Sequence, residues 1–273
     1  MGSDGGKEGH NNMREITLEE LLEAGCHFGH QVTRSNPKAR DFIFEARDNI
    51  HIIDLAKTKE GLEEAAAFIK DVASKNGVLV VVGTKRQAKT IVEEEVKRAA
   101  DNNLFFITNR WVGGLLTNFS EVSKNFKKLH DFETDLADDE VRARYTKKEI
   151  GGWEKEKNKL ENLYGGVAKI TKKPDALFII DSHLENLAVR EALVTHVPTV
   201  GIVDTNADPG VLDYPIPAND DAVGSIKLIA TYIIDAWIEG RKLAEDRKTA
   251  TTETQKGTET LKGKQTATTE AQK

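Results

Sequence analysis

The stretch Gly77-Val78-Leu79-Val80-Val81-Val82-Gly83 constrains this chain more than any other. Its apolar, largely β-branched residues show no polar alternation, so the strand they form has both faces covered, as in the middle of a parallel sheet. Thr84-Lys85-Arg86 then leads into helical spacing at Ala88, Ile91, Val92, Val96 and Ala99, and Leu104 to Ile107 is the next apolar run. Parallel neighbours need a crossover, and a helix is the usual one, so residues 77–107 read as a βαβ unit. The alternation resumes with a strand at Ala176 to Asp181, a helix from about Leu184 to Thr195, and a strand at Thr199 to Asp204.

Around this frame the pattern varies. Thr17-Leu18-Glu19-Glu20 is a capping box that opens a short helix ended by Gly25, and Cys26 to His30 reads as a compact loop. Phe42 to Phe44 and Ile50 to Asp54 read as strands, and Thr58 to Ser74 as a helix burying Leu62, Ala65, Ala66, Ile69 and Val72. From Asn118 the apolar residues Phe119, Val122, Phe126, Leu129, Phe132 and Leu136 step by three or four, then a capping box at Thr146 to Glu149 opens a second stripe through Trp153, Leu160, Leu163 and Val167. Two such stripes joined by a short turn predict an antiparallel coiled-coil hairpin at 118–167, inserted into an α/β domain formed by 14–117 and 168–248. Asp213-Tyr214-Pro215-Ile216-Pro217 reads as an extended edge, because proline donates no ladder hydrogen bond. A long apolar helix from about Asp221 to Glu245 packs on the sheet. Residues 1–13 read as a flexible arm and the Thr-, Lys- and Gln-rich residues 249–273 as a disordered tail. The expected fold is Rossmann-like: a doubly wound, mainly parallel sheet with the hairpin inserted.

Composition narrows the function. A single cysteine, Cys26, excludes a disulfide framework or a multi-cysteine zinc site. No apolar run reaches the roughly 18 residues of a membrane helix, and the N-terminus resembles neither a signal nor a transit peptide, so a cytoplasmic protein with no membrane partner is expected. The net charge of -6 is wrong for a protein coating a long duplex. Contact with RNA is therefore expected through local patches.

Several constellations carry chemistry. Asp54, Asp181 and Asp204 each end an apolar run, and ligands of open α/β sheets sit at the carboxyl ends of strands, so the three could hold a metal. The stronger reading is that they cap the following turns and helices. His27 and His30 beside Cys26 offer three clumped ligands where a structural zinc wants four, which favours packing over metal binding. Gly83-Thr84-Lys85-Arg86 is neither Gly-x-Gly-x-x-Gly nor a Walker loop, so Lys85, Arg86 and Lys89 suit an RNA phosphate better than a nucleotide. Arg110-Trp111 beside Gly113-Gly114 could stack on a base, or Trp111 could anchor the hairpin to the sheet; both readings stay open. Arg34 and Lys38 lie in a locally basic stretch around Asn36-Pro37.

Longer blocks point further. Ala24-Gly25-Cys26-His27-Phe28-Gly29-His30, Asn36-Pro37-Lys38, His51-Ile52-Ile53-Asp54-Leu55-Ala56-Lys57-Thr58, Val82-Gly83-Thr84-Lys85, Asn109-Arg110-Trp111-Val112-Gly113-Gly114-Leu115-Leu116-Thr117-Asn118 and Val203-Asp204-Thr205-Asn206-Ala207-Asp208-Pro209 with Tyr214 to Asp221 closely resemble the bacterial small-subunit ribosomal protein family conventionally numbered two. The resemblance runs in order from about Arg14 to Lys248. It implies a non-catalytic protein without cofactor or small-molecule substrate. Its implied partners are small-subunit ribosomal RNA and neighbouring ribosomal proteins, including the large OB-fold protein conventionally numbered one, which it helps dock. The expected RNA contacts are Lys85, Arg86, Arg110 and Trp111, with Arg34, Lys38 and Lys89 beside them. The competing class is a metal-dependent or nucleotide-binding α/β enzyme using Asp54, Asp181 and Asp204. The chain departs from the family at Ser35, where an aromatic is usual before Asn-Pro-Lys. It departs again at Ile150-Gly151-Gly152, which is expected to kink the second hairpin helix, since each glycine costs about 1 kcal/mol relative to alanine.

Overall fold

The computed structural model describes residues 14–270, with side chains described as far as Arg247. The arm expected at 1–13 lies outside the described residues. The chain opens with α1 (Leu18–Glu23), closed by the expected capping box: the Thr17 hydroxyl accepts from the Glu20 amide and the Glu20 carboxylate from the Thr17 amide. Next come β1 (Phe28–Gln31), β2 (Ile43–Arg47) and β3 (Ile50–Ile53), an antiparallel sheet in the order β1-β3-β2. The sequence placed residues 26–30 in a loop; β1 escapes a local reading because its four residues, Phe-Gly-His-Gln, show no alternation and are extended only by pairing with β3.

Asp54 then caps α2 (Leu55–Ser74), accepting from the Ala56 amide at 2.9 Å. The predicted βαβ unit follows as β4 (Leu79–Val82), α3 (Arg86–Ala99) and β5 (Leu104–Ile107). The helices α4 (Phe119–Ala137), α5 (Asp139–Ala143) and α6 (Lys147–Tyr164) intervene before β6 (Ala176–Ile179). The chain finishes with α7 (Asn186–Thr195), β7 (Thr199–Val203), β8 (Tyr214–Pro217) and α8 (Val223–Glu270). Helical backbone in α8 thus extends through most of the segment expected as a disordered tail, 249–273; residues 271–273 lie outside the described residues.

β4 to β8 form one parallel sheet in the order β5-β4-β6-β7-β8, with Val80 level with Phe105 on one side and Leu177 on the other. Every residue of β4, β6 and β7 is buried, as the unbroken apolar runs require. Helices cover both faces. On one, Leu62, Ile69, Ile91, Ile233 and Trp237 of α2, α3 and α8 pack over Val81 and Phe178. On the other, Trp111, Leu115, Phe126, Tyr164 and Val189 pack over Val80 and Leu177. This is a Rossmann-like arrangement. β8 forms one edge, where Pro215 and Pro217 are tolerated because only one side is paired.

α4 and α6 touch along their length: the Phe126 ring meets Tyr164 edge-on at 5.5 Å, Lys128 pairs with Glu156, and Phe132 lies 6.3 Å from Trp153. The partner numbers fall on α6 as they rise on α4, so the two helices run in opposite directions. α6 is helical through Gly151 and Gly152. Its first turn is closed by the Thr146 and Glu149 capping box.

Candidate functional site

The strand order departs from β4 in both directions, to β5 on one side and to β6 on the other, which opens a crevice at the carboxyl ends of these strands. Polar side chains from five segments converge there. Lys85, just after β4, directs its Nζ onto Asp220 Oδ1 at 2.7 Å, Asp221 Oδ1 at 2.7 Å, Asp181 Oδ2 at 2.9 Å and the Asp220 carbonyl at 3.0 Å. Burial works to lower the pKa of this lysine, but the surrounding carboxylates outweigh it and raise it. Asp181 follows β6 with φ 70, and its Oδ1 accepts from the amides of His183 and Leu184. One carboxylate thus pairs with Lys85 and caps the next turn.

His30, on β1, completes the group from the small sheet. Its Nδ1 lies 3.1 Å from Asp204 Oδ2, and its amide donates to Asp204 Oδ1 and to the Thr205 hydroxyl. The Asp204 hydrogen bond raises the imidazole pKa, with Asp220 and Asp221 adding to it against the effect of burial. Gly29 permits this approach: a Cβ there would meet Thr205 Cγ2 at 2.8 Å. Asp220 is fully buried, and burial with the charges of Asp181 and Asp204 pushes its carboxyl up to about 7 despite Lys85. Its Oδ2 has no hydrogen-bond partner.

His30, Asp204 and Asp220 each offer a ligand atom within 4.8 Å of the others. One imidazole and two carboxylates suit a divalent ion, and these are the residues that could hold one. The set differs from the one expected. Asp54 is spent as the cap of α2, and Asp181 is held by Lys85 and its turn. His27 is outside the group, its ring 4.0 Å from that of Phe28, and burial lowers its pKa. Asp220 was missed although Asn219-Asp220-Asp221 follows an edge strand, because nothing local says which of two adjacent acids turns inward.

The residues expected to face RNA divide into two sets. Lys85 and Trp111 point into the protein: Lys85 is paired with three carboxylates, and Trp111 is 4% exposed in the core against α7. Trp111 therefore takes the anchoring role. Its Nε1 donates to Glu191 Oε1 at 3.4 Å, and the same carboxylate accepts from the amides of Gly114, Leu116 and Thr117. Sequence reasoning overlooked Glu191, which looks like any polar residue within a helix. Arg34, Arg86 and Arg110 are exposed and make no ion pair among the described residues. Lys38 is exposed but paired with Asp208 at 2.5 Å, and Lys89 donates to Asn109 Oδ1 at 3.0 Å.

Comparison with known proteins places the chain in a family. The family described as Ribosomal protein S2 matches residues 21–240. The chain is 45% identical over 233 residues to "Small ribosomal subunit protein uS2" of Koribacter versatilis (strain Ellin345), covering 85% of this chain and 76% of the relative. It is 44% identical over 239 residues to the protein of the same name from Corynebacterium jeikeium (strain K411), covering 87% and 85%. Those names are of a structural ribosomal protein and not of an enzyme. A parallel sheet whose strand-end crevice is closed by its own ion pairs, matched over most of its length by these relatives, belongs to the ribosomal protein S2 family.

Proposed function

We propose that this protein is a structural constituent of the small ribosomal subunit, acting in the cytoplasm by holding ribosomal RNA and neighbouring ribosomal proteins in register. The match across residues 21–240 carries this reading. The geometry supports it, because Lys85 fills the crevice in which an enzyme of this fold would bind its substrate. Among the described residues no helix is long and apolar enough to cross a membrane.

The cations left free by the fold, Arg34, Arg86 and Arg110, neutralise RNA phosphates at a few points, with Lys38 and Lys89 beside them. The antiparallel pair α4 and α6 acts as an inserted coiled coil that reaches a neighbouring element. The large OB-fold ribosomal protein numbered one docks on the small sheet, where Phe44 is 71% and Phe28 49% exposed.

Sedimentation of a native-source lysate through sucrose at moderate and high salt tests the reading. The protein is expected with small subunits and is released as salt rises. Reversing the charges of Arg34, Arg86 and Arg110 lowers the salt at which release occurs, since each lost phosphate contact removes about one unit from the salt slope. Recovery only in the soluble fractions at both salts would sink it.

A further inference from the structure

α7 carries its larger apolar residues on the wrong face for a helix that only covers a sheet. Its inward residues, Ala188, Val189, Glu191 and Ala192, are buried and mostly small. Leu187 and Leu193 are each 49% exposed and Val194 is 71% exposed, while Leu184, in the turn that leads into the helix, is 52% exposed. An amphipathic helix on a sheet turns such residues the other way. Helix propensity does not account for Val194, since valine ranks below most residues in a helix interior. The chain's own fold gives these side chains nothing to cover, and a concentration of exposed aliphatic residues on one element marks a surface that meets another molecule.

Spacing and charge say what that molecule is. Leu187, Arg190 and Val194 are three and four residues apart and so stand on one face of the helix. Arg190 is exposed and makes no ion pair among the described residues. From Ser182 to Val197 the only acids are Glu185 and Glu191, both buried and both occupied: Glu185 accepts from the Thr84 amide and hydroxyl, and Glu191 from the amides of Gly114, Leu116 and Thr117. Gly113 extends the stripe with bare backbone, since a Cβ on it would stand 3.6 Å from Leu187 Cδ2. The face is thus aliphatic, with one unanswered arginine at its centre. RNA is a poor occupant, because aliphatic side chains offer a base no stacking platform and one cation holds few phosphates. A second copy of this chain fits no better: a two-fold contact sets the face against itself, Arg190 towards Arg190, with no exposed acid on the helix to answer either charge. What fits is a protein surface with an aliphatic groove and a carboxylate for the guanidinium, the mode in which a helix lays residues i, i+3 and i+7 into a groove.

We propose that the outer face of α7 is a docking surface for a neighbouring protein of the small subunit, which receives Leu187, Leu193 and Val194 in an aliphatic groove and pairs a carboxylate with Arg190. The proposal rests on the ribosomal reading and adds to it a face and a partner chemistry. The face is on a different element from the small sheet, where Phe28 and Phe44 are exposed, and contains none of the cations assigned to RNA.

The test uses the full-length chain and small subunits from which it has been stripped by salt, with rebinding followed against concentration. A benzophenone-bearing residue in place of Val194 is expected to cross-link to another small-subunit protein, at a segment that carries Asp or Glu. Arg190→Glu is expected to raise the concentration needed for half-saturation about tenfold or more. Reversing the charge of the acid found beside the cross-link restores rebinding of that variant. Val194→Lys weakens rebinding without lowering the thermal midpoint of the free protein, since the side chain is exposed and a cation suits the last turn of a helix; lost docking with kept stability excludes misfolding as the cause. Cross-linking to RNA alone, or stronger rebinding of Val194→Lys, would assign the face to RNA and overturn the proposal. Cross-linking between two copies of the chain would overturn it as well. Rebinding of Arg190→Glu and Val194→Lys at the same concentration as the unaltered chain would overturn it and leave the ribosomal reading standing. Failure of the unaltered chain to rebind stripped subunits would remove the ribosomal reading itself, and the docking proposal with it.

Discussion

Glu191 accepts from the loop amides of Gly114, Leu116 and Thr117, from Trp111 Nε1 and from the Thr117 hydroxyl, so one buried carboxylate orders the chain from Trp111 to Thr117. Burial works to raise its pKa, but the amide donors outweigh burial and hold it below the ordinary glutamate value of 4.5. A depressed folded-state pKa stabilises the protein above the unfolded value, and that contribution is lost as pH falls through the folded one. Glu191→Gln keeps the shape and removes the charge, and is expected to cost about 2–3 kcal/mol near neutrality in a urea titration. Its stability relative to the unaltered chain should improve steadily below pH 4.5; a deficit independent of pH would show that the charge is not what holds the loop. The Arg110-Trp111 motif was legible in the sequence, but its meaning was not. Whether the tryptophan faced RNA or the core depended on a carboxylate 80 residues away.

α2 and α8 pack on each other, and Gly240 lets them approach closely. A Cβ at this position would lie 2.3 Å from the Lys70 carbonyl and 2.6 Å from Ala73 Cβ. Gly240→Ala should therefore destabilise the protein by about 1–3 kcal/mol in spite of alanine's better helix propensity. The opposite sign is expected of Gly151→Ala, where a Cβ would meet nothing within 4 Å, which makes the pair a control on each other. Equal stabilisation by both would mean that α2 and α8 can part without penalty. Both helices were readable from periodicity, as were β4, β6 and β7 from their unbroken apolar runs. β1 was not, because a four-residue strand containing glycine and histidine carries no periodic signal, and the partner that makes it extended lies some twenty residues downstream.

The small antiparallel sheet and the large parallel one meet at the strand ends through His30 with Asp204, the Asn36 amide on the Thr205 carbonyl, and Asn219 on the carbonyl of Gly25. Of these ties only His30 with Asp204 pairs two ionisable side chains. His30→Ala is expected to speed hydrogen exchange across residues 28–53 by local opening while Val80 to Val82 stay protected. Uniform acceleration in both sheets would show that they unfold as one unit and that the imidazole is no separate tie. Periodicity, capping boxes and proline placement determined the order of helices and strands, because these signals act between residues a few positions apart. Which charges would meet was decided by tertiary structure alone. Lys85, Asp181, Asp204, Asp220 and His30 come from five segments up to 190 residues apart, and only the strand order β5-β4-β6-β7-β8, with β1 of the small sheet set against it, brings them to one crevice. Their burial, and with it the choice between an RNA-facing lysine and an internal ion pair, is a property of that convergence and has no counterpart in any local stretch of the chain.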